Sequence, residues 1–405
     1  MRISPRTTFT TLAGRKITHH ESRITNHASP PVPTETLSTF QLESGAELHG
    51  VPVQYRTWGQ LNERRDNAVV VCHALTGSAD ATQWWGDLLG SGRAFDPEDD
   101  FVICLNAPGS PYGSVSPITE NPATGAPYGA DFPRVTIRDT VRLHRRVLTE
   151  RLGVRSVRLA AGGSMGGMQV LEWAFEEKEN GAPLVQALAP VAVGGRHAPW
   201  QIGCSEAQRQ AIYADPRWQD GRYAPGEGPT QGLAAARMMA MISYRSYDSY
   251  RERFGRDRMT PDPATAAAPS TSDAAPPPER QNGEAAAPLP TENAPFAVES
   301  YLRHQGEKLI DRFDARCYVA LTRQMDSHDV ARGRGAYDEV LRSIEQPAFV
   351  VSIDSDALYP PAEQRELVDH LPNAQLDVLS SPHGHDAFLI ETETLSKRLR
   401  DWRRV

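Results

Sequence analysis

Residues 162 to 166 read Gly-Gly-Ser-Met-Gly, a G-x-S-x-G pattern centred on Ser164. The short apolar run "SVRLAAGG" (156 to 163) leads into it, and "MGGMQVLEWAF" (165 to 175) continues from it as a helix. A serine forced through a sharp strand-to-helix turn needs small neighbours on both sides, and Gly162 and Gly166 stand two residues before and after it. Such a turn presents the hydroxyl as a nucleophile. The same glycines would also suit a plain tight turn or a phosphate loop, but the stretch has neither the Lys-Ser/Thr ending of a P-loop nor the G-x-G-x-x-G dinucleotide fingerprint.

A serine hydroxyl is a poor nucleophile at neutral pH; it needs a base, and the base needs an orienting group. Where a nucleophile elbow sits on an α/β-hydrolase sheet, those partners follow it in the order carboxylate, then histidine. The C-terminal third supplies both. "DSDALYPP" offers Asp354 and Asp356 after the apolar run "PAFVVSI", and "PHGHDAF" offers His383 and His385 after "LDVLSS". Spacing alone leaves both pairs open. Acyl chemistry further requires donors for an oxyanion. The backbone N–H of Met165, directly after the nucleophile, is one, and "HALTG" (73 to 77), at the end of an earlier apolar run, nominates Leu75 for the other. His73 precedes the serine, against the required order, and reads as a hydrogen-bonded structural residue.

The elements that must position these groups alternate along the chain. "NAVVVCHALTG" (67 to 77), "DFVICLNAPG" (100 to 109), "SVRLAAGG" (156 to 163), "LVQALAPVAV" (184 to 193), "PAFVVSID" (347 to 354) and "AQLDVLSS" (374 to 381) are strand candidates. Such apolar runs suit a sheet covered on both faces. Ile137, Val141, His144, Leu148 and Leu152 recur at helical spacing in a crossover that stops at Gly153. The expectation is an α/β fold with a mainly parallel sheet flanked by helices. Its first part is residues 34–195, its second part 336–405, and residues 196–335 form an inserted helical lid. Within the lid, residues 260–296 are more than half Ala and Pro with no apolar periodicity and read as a disordered insertion. Residues 1–33 read as a disordered extension, with a mitochondrial transit peptide as the alternative; they contain no hydrophobic signal core.

Composition bounds the partners. A net charge of -8 over 405 residues without a basic patch argues against nucleic acid and for a small molecule. No apolar run approaches the roughly 20 residues that span a bilayer. Cys72, Cys104, Cys204 and Cys317 have no metal-like spacing and read as reduced residues of a cytoplasmic protein.

The chain resembles the homoserine O-acetyltransferases of the α/β-hydrolase type. The resemblance runs through "CHALTGSAD", "WWGDLLGSGRAFD", "CLNAPGSPYGSVSP", "FPRVTIRD", "GGSMGGMQVLEWA", "EAQRQAIYADP", "GLAAARMMAMISYRS", "SIDSDALYPP" and "HGHDAFLIE", covering about residues 40 to 400 outside the Pro/Ala stretch. It implies a triad of Ser164, Asp356 and His385 with oxyanion donors at Leu75 and Met165. It also implies that Arg237 and Asp386 meet the carboxylate and ammonium of the amino-acid substrate, with Arg245 the nearby competitor of Arg237. The implied reaction moves an acetyl group from acetyl-CoA, a co-substrate, to L-homoserine through an acetyl-serine, with no metal or bound prosthetic group, in a homodimer. Close alternatives are acylation of serine and use of succinyl-CoA, and a more distant one is ester hydrolysis by the same triad. Gly194, Gly195, Cys204 and Ser205 depart from residues common in relatives and bear on that choice.

Overall fold

Each of the six apolar runs becomes a strand in the computed structural model, which describes residues 32–259 and 294–404. The sheet strands are β1 (Thr34–Gln41), β2 (Glu47–Trp58), β3 (Ala68–Cys72), β4 (Phe101–Leu105), β5 (Val157–Gly163), β6 (Leu188–Val191), β7 (Ala348–Ile353) and β8 (Ala374–Leu379). They form one eight-stranded sheet in the order β1-β2-β4-β3-β5-β6-β7-β8. From β4 to β8 every pairing is parallel. The two N-terminal strands pair antiparallel with each other, and β2 pairs antiparallel with β4. These two were not anticipated. In β2 a period of two runs over Val51, Val53 and Tyr55, which are buried while Pro52 and Gln54 between them are more open.

The central strands are apolar throughout because both faces are covered. Val70 and Cys72 pack with Ile103, Leu105 and Ala160 on one face, whereas Val69 and Val71 pack with Val102, Cys104, Leu159 and Ala161 on the other. The expected crossover is helix Ile137–Arg146, opened by a reciprocal cap in which Thr136 Oγ1 accepts from Asp139 N and Asp139 Oδ2 accepts from Thr136 N, both at 3.0 Å. Its last turn widens over Val147–Arg151, and Gly153 ends it with φ of 70°.

Between β6 and β7, the longer helices among the described residues are Pro199–Tyr213, Thr230–Tyr244, Tyr247–Phe254, Ala297–Ile310 and Ala315–Asp326. Residues 260–293 of the expected insertion and residues 1–31 of the expected extension lie outside the described residues. Residues 294–296, assigned by sequence to the insertion, belong instead to the folded layer. Met259 N donates to Pro295 O at 2.9 Å, Ala297 N to Asp257 O at 2.8 Å, and the Arg258 guanidinium sits 4.2 Å over the Phe296 ring. Among the described residues no helix is long and apolar enough to cross a membrane. All four cysteines are free.

Candidate active site

Ser164 joins β5 to helix Met165–Trp173 with φ 57° and ψ −123°, a conformation that costs a non-glycine residue about 1–3 kcal/mol. The neighbourhood holds it there. Ser164 N donates to Val191 O at 3.0 Å, and the flanking glycines let two backbones come close. A Cβ on Gly162 would lie 2.7 Å from Cys72 O, and one on Gly166 would lie 2.1 Å from the same oxygen. Gly163 and Gly167 have different neighbours: an added Cβ would strike the Phe388 ring at 2.6 Å and Val193 Cγ1 at 2.7 Å. The four glycines thus seat the turn against β3, β6 and the segment carrying His385.

Geometry separates the acidic pair and the histidine pair. Asp356 Oδ2 accepts from His385 Nδ1 at 2.7 Å, while Asp356 Oδ1 accepts from Leu358 N at 2.8 Å and Tyr359 N at 2.9 Å. Asp354 instead ties together the loops after β7 and β8, accepting from Ser380 Oγ at 2.6 Å and Ser381 N at 3.0 Å. His383 turns to the helical layer, with Nδ1 3.2 Å from Ser249 Oγ.

The His385 ring is 3% exposed, stacked on Tyr359 at 5.1 Å and edge-on to Phe388 at 5.5 Å. Phe388 also lies against Gly163, so the same ring packs on both the imidazole and the elbow. Burial alone would depress the His385 pKa, but the charge and hydrogen bond of Asp356 outweigh it and raise the pKa above the ordinary value. His385 Nε2 is buried and has no hydrogen-bond partner among the described residues. With Nδ1–H directed to Asp356, Nε2 is the nitrogen that can take a proton.

Both expected oxyanion donors have free N–H groups. Met165 is the first residue of its helix, so its N–H has no intrahelical acceptor. Leu75 lies in the loop after β3, and among the described residues no backbone acceptor meets its N–H. His73 braces that loop: its Nδ1 is 2.9 Å from Ala74 O, and its Nε2 accepts from Ala107 N at 2.9 Å. Burial pushes its pKa down to about 4, which keeps the ring neutral.

Asp386 is paired with Arg245, whose Nε lies 3.0 Å from Oδ2 at an angle unsuited to a hydrogen bond. Burial raises the pKa of Asp386 against the opposing charges of Arg245, His385 and Arg237. Arg237 is half-buried and, among the described residues, makes no ion pair; its guanidinium lies 5.8 Å from the Tyr244 ring centre. Its charge also acts on Tyr112 and Tyr318. The competitor Arg245 therefore takes the carboxylate, and Arg237 keeps a cation unneutralised by any direct partner. Sequence reasoning missed Tyr244 and Tyr359, the rings around His385, and Arg312, which donates to Thr76 O at 2.8 Å. Only the tertiary fold brings these to the site.

Gly194 and Gly195 sit where the chain passes close to side chains, since an added Cβ would lie 2.5 Å from Glu363 Oε2 and 2.3 Å from the Tyr337 hydroxyl. A cleft of about 760 Å³, bordered by Pro108, Phe132, Trp218 and Gln324, contains none of Ser164, Asp356 and His385. The Asp356–His385 pair and the strained serine elbow, and not that cleft, mark the candidate site.

Comparison with known proteins agrees with this architecture. The α/β-hydrolase fold family profile matches residues 67–392. A homoserine O-acetyltransferase from Salinibacter ruber is 60% identical over 370 residues, 91% of this chain and 97% of that protein. One from Nostoc punctiforme is 53% identical over 363 residues, 88% of this chain and 92% of that protein. Among solved structures, a homoserine O-acetyltransferase from Bacillus anthracis superposes with a TM-score of 0.77 at 22% identity, covering 92% of this chain and 97% of that one. Esterase E22 superposes with a TM-score of 0.74 at 22% identity, covering 92% of this chain and 99% of that one. With an elbow serine, an adjoining Asp–His pair and relatives of this similarity along most of its length, the chain belongs to the homoserine O-acetyltransferase family of the α/β-hydrolase fold.

Proposed function

We propose that this protein transfers acetyl from acetyl-CoA to the hydroxyl of L-homoserine in two half-reactions, giving O-acetyl-L-homoserine on the route to methionine. The Asp356–His385 hydrogen bond of 2.7 Å carries the reading, because it fixes the tautomer that leaves Nε2 free to act as a base. In the first half-reaction Nε2 takes the Ser164 proton as the oxygen attacks the thioester carbonyl. The Leu75 and Met165 N–H groups receive the oxyanion, and His385 hands its proton to the departing coenzyme A thiolate. In the second, His385 deprotonates the homoserine hydroxyl, which attacks the acetyl-serine ester and releases Ser164. Arg237, a cation without a direct counter-ion, suits the substrate carboxylate, and Asp386 suits its ammonium; binding the ammonium requires Asp386 to share or exchange Arg245.

Water competes with homoserine for the acetyl-serine, so the helices between β6 and β7 act as a lid that favours the amino acid. The same layer exposes Met239, Ile242 and Tyr247 by 41%, 56% and 78%, an apolar surface suited to pairing two copies as a homodimer. The test is thiol release from acetyl-CoA with homoserine, with serine and with neither, repeated with succinyl-CoA. Acetyl-CoA turnover that depends on homoserine supports the proposal. Release indifferent to any amino acid assigns hydrolysis, and preference for serine or succinyl-CoA assigns the related acyl transfers.

A further inference from the structure

The loop that presents the Leu75 N–H is fastened from outside the sheet. Arg312 lies between helices Ala297–Ile310 and Ala315–Asp326, and its Nη1 donates to Thr76 O at 2.8 Å and also to the Tyr112 hydroxyl. Thr76 O belongs to the 76–77 peptide, whose Gly77 N–H donates to Ala74 O at 2.9 Å, and Ala74 O shares its peptide plane with the Leu75 N–H, so this hydrogen bond bears on the oxyanion donor through one intervening contact. The anchor is itself held. Phe313, adjacent to Arg312, is buried and packs edge-on against Tyr112 at 5.8 Å and Tyr318 at 6.1 Å. From the core side, His73 braces the opposite end of the same loop through Ala74 O and Ala107 N. Arg312 is solvent-exposed and, among the described residues, no carboxylate lies within ion-pair distance, so ion pairing does not account for its placement.

We propose that Arg312 is a positioning residue: it latches the helical layer to the loop of residues 73–77 and holds the Leu75 N–H in the oxyanion-binding orientation. The proposal rests on the acyl-transfer reading above. It makes stabilisation of the acylation transition state depend on a residue that touches neither Ser164 nor His385. A displacement of about 1 Å in such a donor costs on the order of 100-fold in rate. Arg312 therefore contributes to kcat through geometry, not by adding a charge at the reacting atoms.

The test compares acetylation of Ser164 by acetyl-CoA and by p-nitrophenyl acetate, an activated ester with no coenzyme A portion, in the full-length protein. Arg312→Met keeps an unbranched apolar stem and removes the guanidinium with both of its hydrogen bonds; Arg312→Lys keeps a cationic donor on a shorter stem; Tyr112→Phe removes only the hydroxyl partner. The expected result is that Arg312→Met slows single-turnover acetylation by both donors by the same factor, about 10-fold to 100-fold. Lysine should restore part of the rate, Tyr112→Phe should give a smaller loss of the same kind, and KM for homoserine should hold steady. A loss confined to acetyl-CoA would mean that Arg312 meets the coenzyme, and an unchanged rate with both donors would mean that the latch is idle; either overturns the proposal. Wild-type protein that forms no acetyl-Ser164 with either donor would instead defeat the acyl-transfer reading, and so the two failures are distinguishable.

Discussion

Replacing Asp356 by asparagine separates the orienting role of the carboxylate from the shape of the loop. Asp356 Oδ1 already accepts two backbone N–H bonds, from Leu358 at 2.8 Å and Tyr359 at 2.9 Å, so the oxygen of the asparagine amide must stay there. The amide NH₂ then faces His385 Nδ1, 2.7 Å away in the native pair. Two N–H groups cannot point at each other, so the imidazole moves its proton to Nε2 and can no longer accept one from Ser164. A wrong-tautomer substitution of this kind costs about 10⁴-fold in kcat, or about 5 kcal/mol of transition-state stabilisation. Thiol release with acetyl-CoA and homoserine measures the loss. The pH profile adds a second readout. In the native protein Asp356 raises the His385 pKa against the effect of burial, and kcat/KM climbs with rising pH as the ring loses its proton. Without the carboxylate, burial remains, and the acidic limb of the residual activity moves to lower pH. An Asp356→Asn variant within tenfold of the native kcat, with an unmoved acidic limb, would refute the assignment of Asp356 as the orienting group.

Other substitutions probe the scaffold. Ser164→Gly should abolish acetyl-enzyme formation yet stabilise the fold by about 1 kcal/mol in urea denaturation, because glycine relieves the strain at φ 57° at some entropic cost. Ser164→Ala keeps the Cβ, and an equal gain in that variant would show that the strain is not the cause. Glu172, on the nucleophile's helix, receives Arg138 Nε at 3.2 Å and Arg334 Nη2 at 2.8 Å, and the Arg138 side chain is only 8% exposed. Glu172→Ala leaves Arg138 with Glu43 as its remaining carboxylate, at 3.0 Å, and removes that of Arg334, and should cost about 1.5–3 kcal/mol by the same assay; a loss under about 0.5 kcal/mol would mean that the network relaxes into water. His73 and His328 have pKa values pushed down to about 4, and His144 to about 3, by burial. Since the unfolded chain takes protons near pH 6.5 and the folded chain does not, each makes stability fall by about 2 kcal/mol between pH 7 and pH 5. Imidazole NMR resonances should show all three rings neutral at pH 5, and a midpoint above 6 for any of them would contradict its burial as a neutral ring.

The sequence signals that worked were those governed by local sterics or by burial on both faces. "AVVVC" and "AFVVSI" read as strands covered on both faces and are buried along their whole length, and glycines two residues either side of Ser164 could be read before their contacts with Cys72 O were known. Asp354 and Asp356 are chemically equivalent in sequence. They part only because the loop after β7 points one carboxylate at the next strand's loop and the other at the imidazole. His383 and His385 divide in the same way, with Ser249 claiming the first. The pairing of Asp386 with Arg245 depends on how Thr230–Tyr244 meets the turn at Gly384, where an added Cβ would lie 2.8 Å from the Arg245 carbonyl carbon. No linear pattern encodes that approach.

The arrangement places rigidity and freedom at different distances from the serine. Ser164 is tied to the sheet through its N–H bond to Val191 O, Gly162 and Gly166 approach Cys72 O too closely to carry a side chain, and His385 is walled by Tyr359, Tyr244 and Phe388. Fixed dipoles and a fixed base are what charge development at a carbonyl oxygen rewards, because nothing then has to reorganise as the bond forms. Arg237, proposed above to meet the substrate, and Arg245, which pairs with Asp386, both come from the segment between β6 and β7, and Arg237 has no carboxylate partner among the described residues. On the proposed reading, selection between homoserine and water belongs to that inserted layer, whereas acetyl-serine formation rests on the elbow and the Asp356–His385 pair, with the Arg312 latch as the inserted layer's contribution to it. Changes at Arg237 or Arg245 should shift KM and the ratio of transfer to hydrolysis, and changes at the elbow should remove both reactions together.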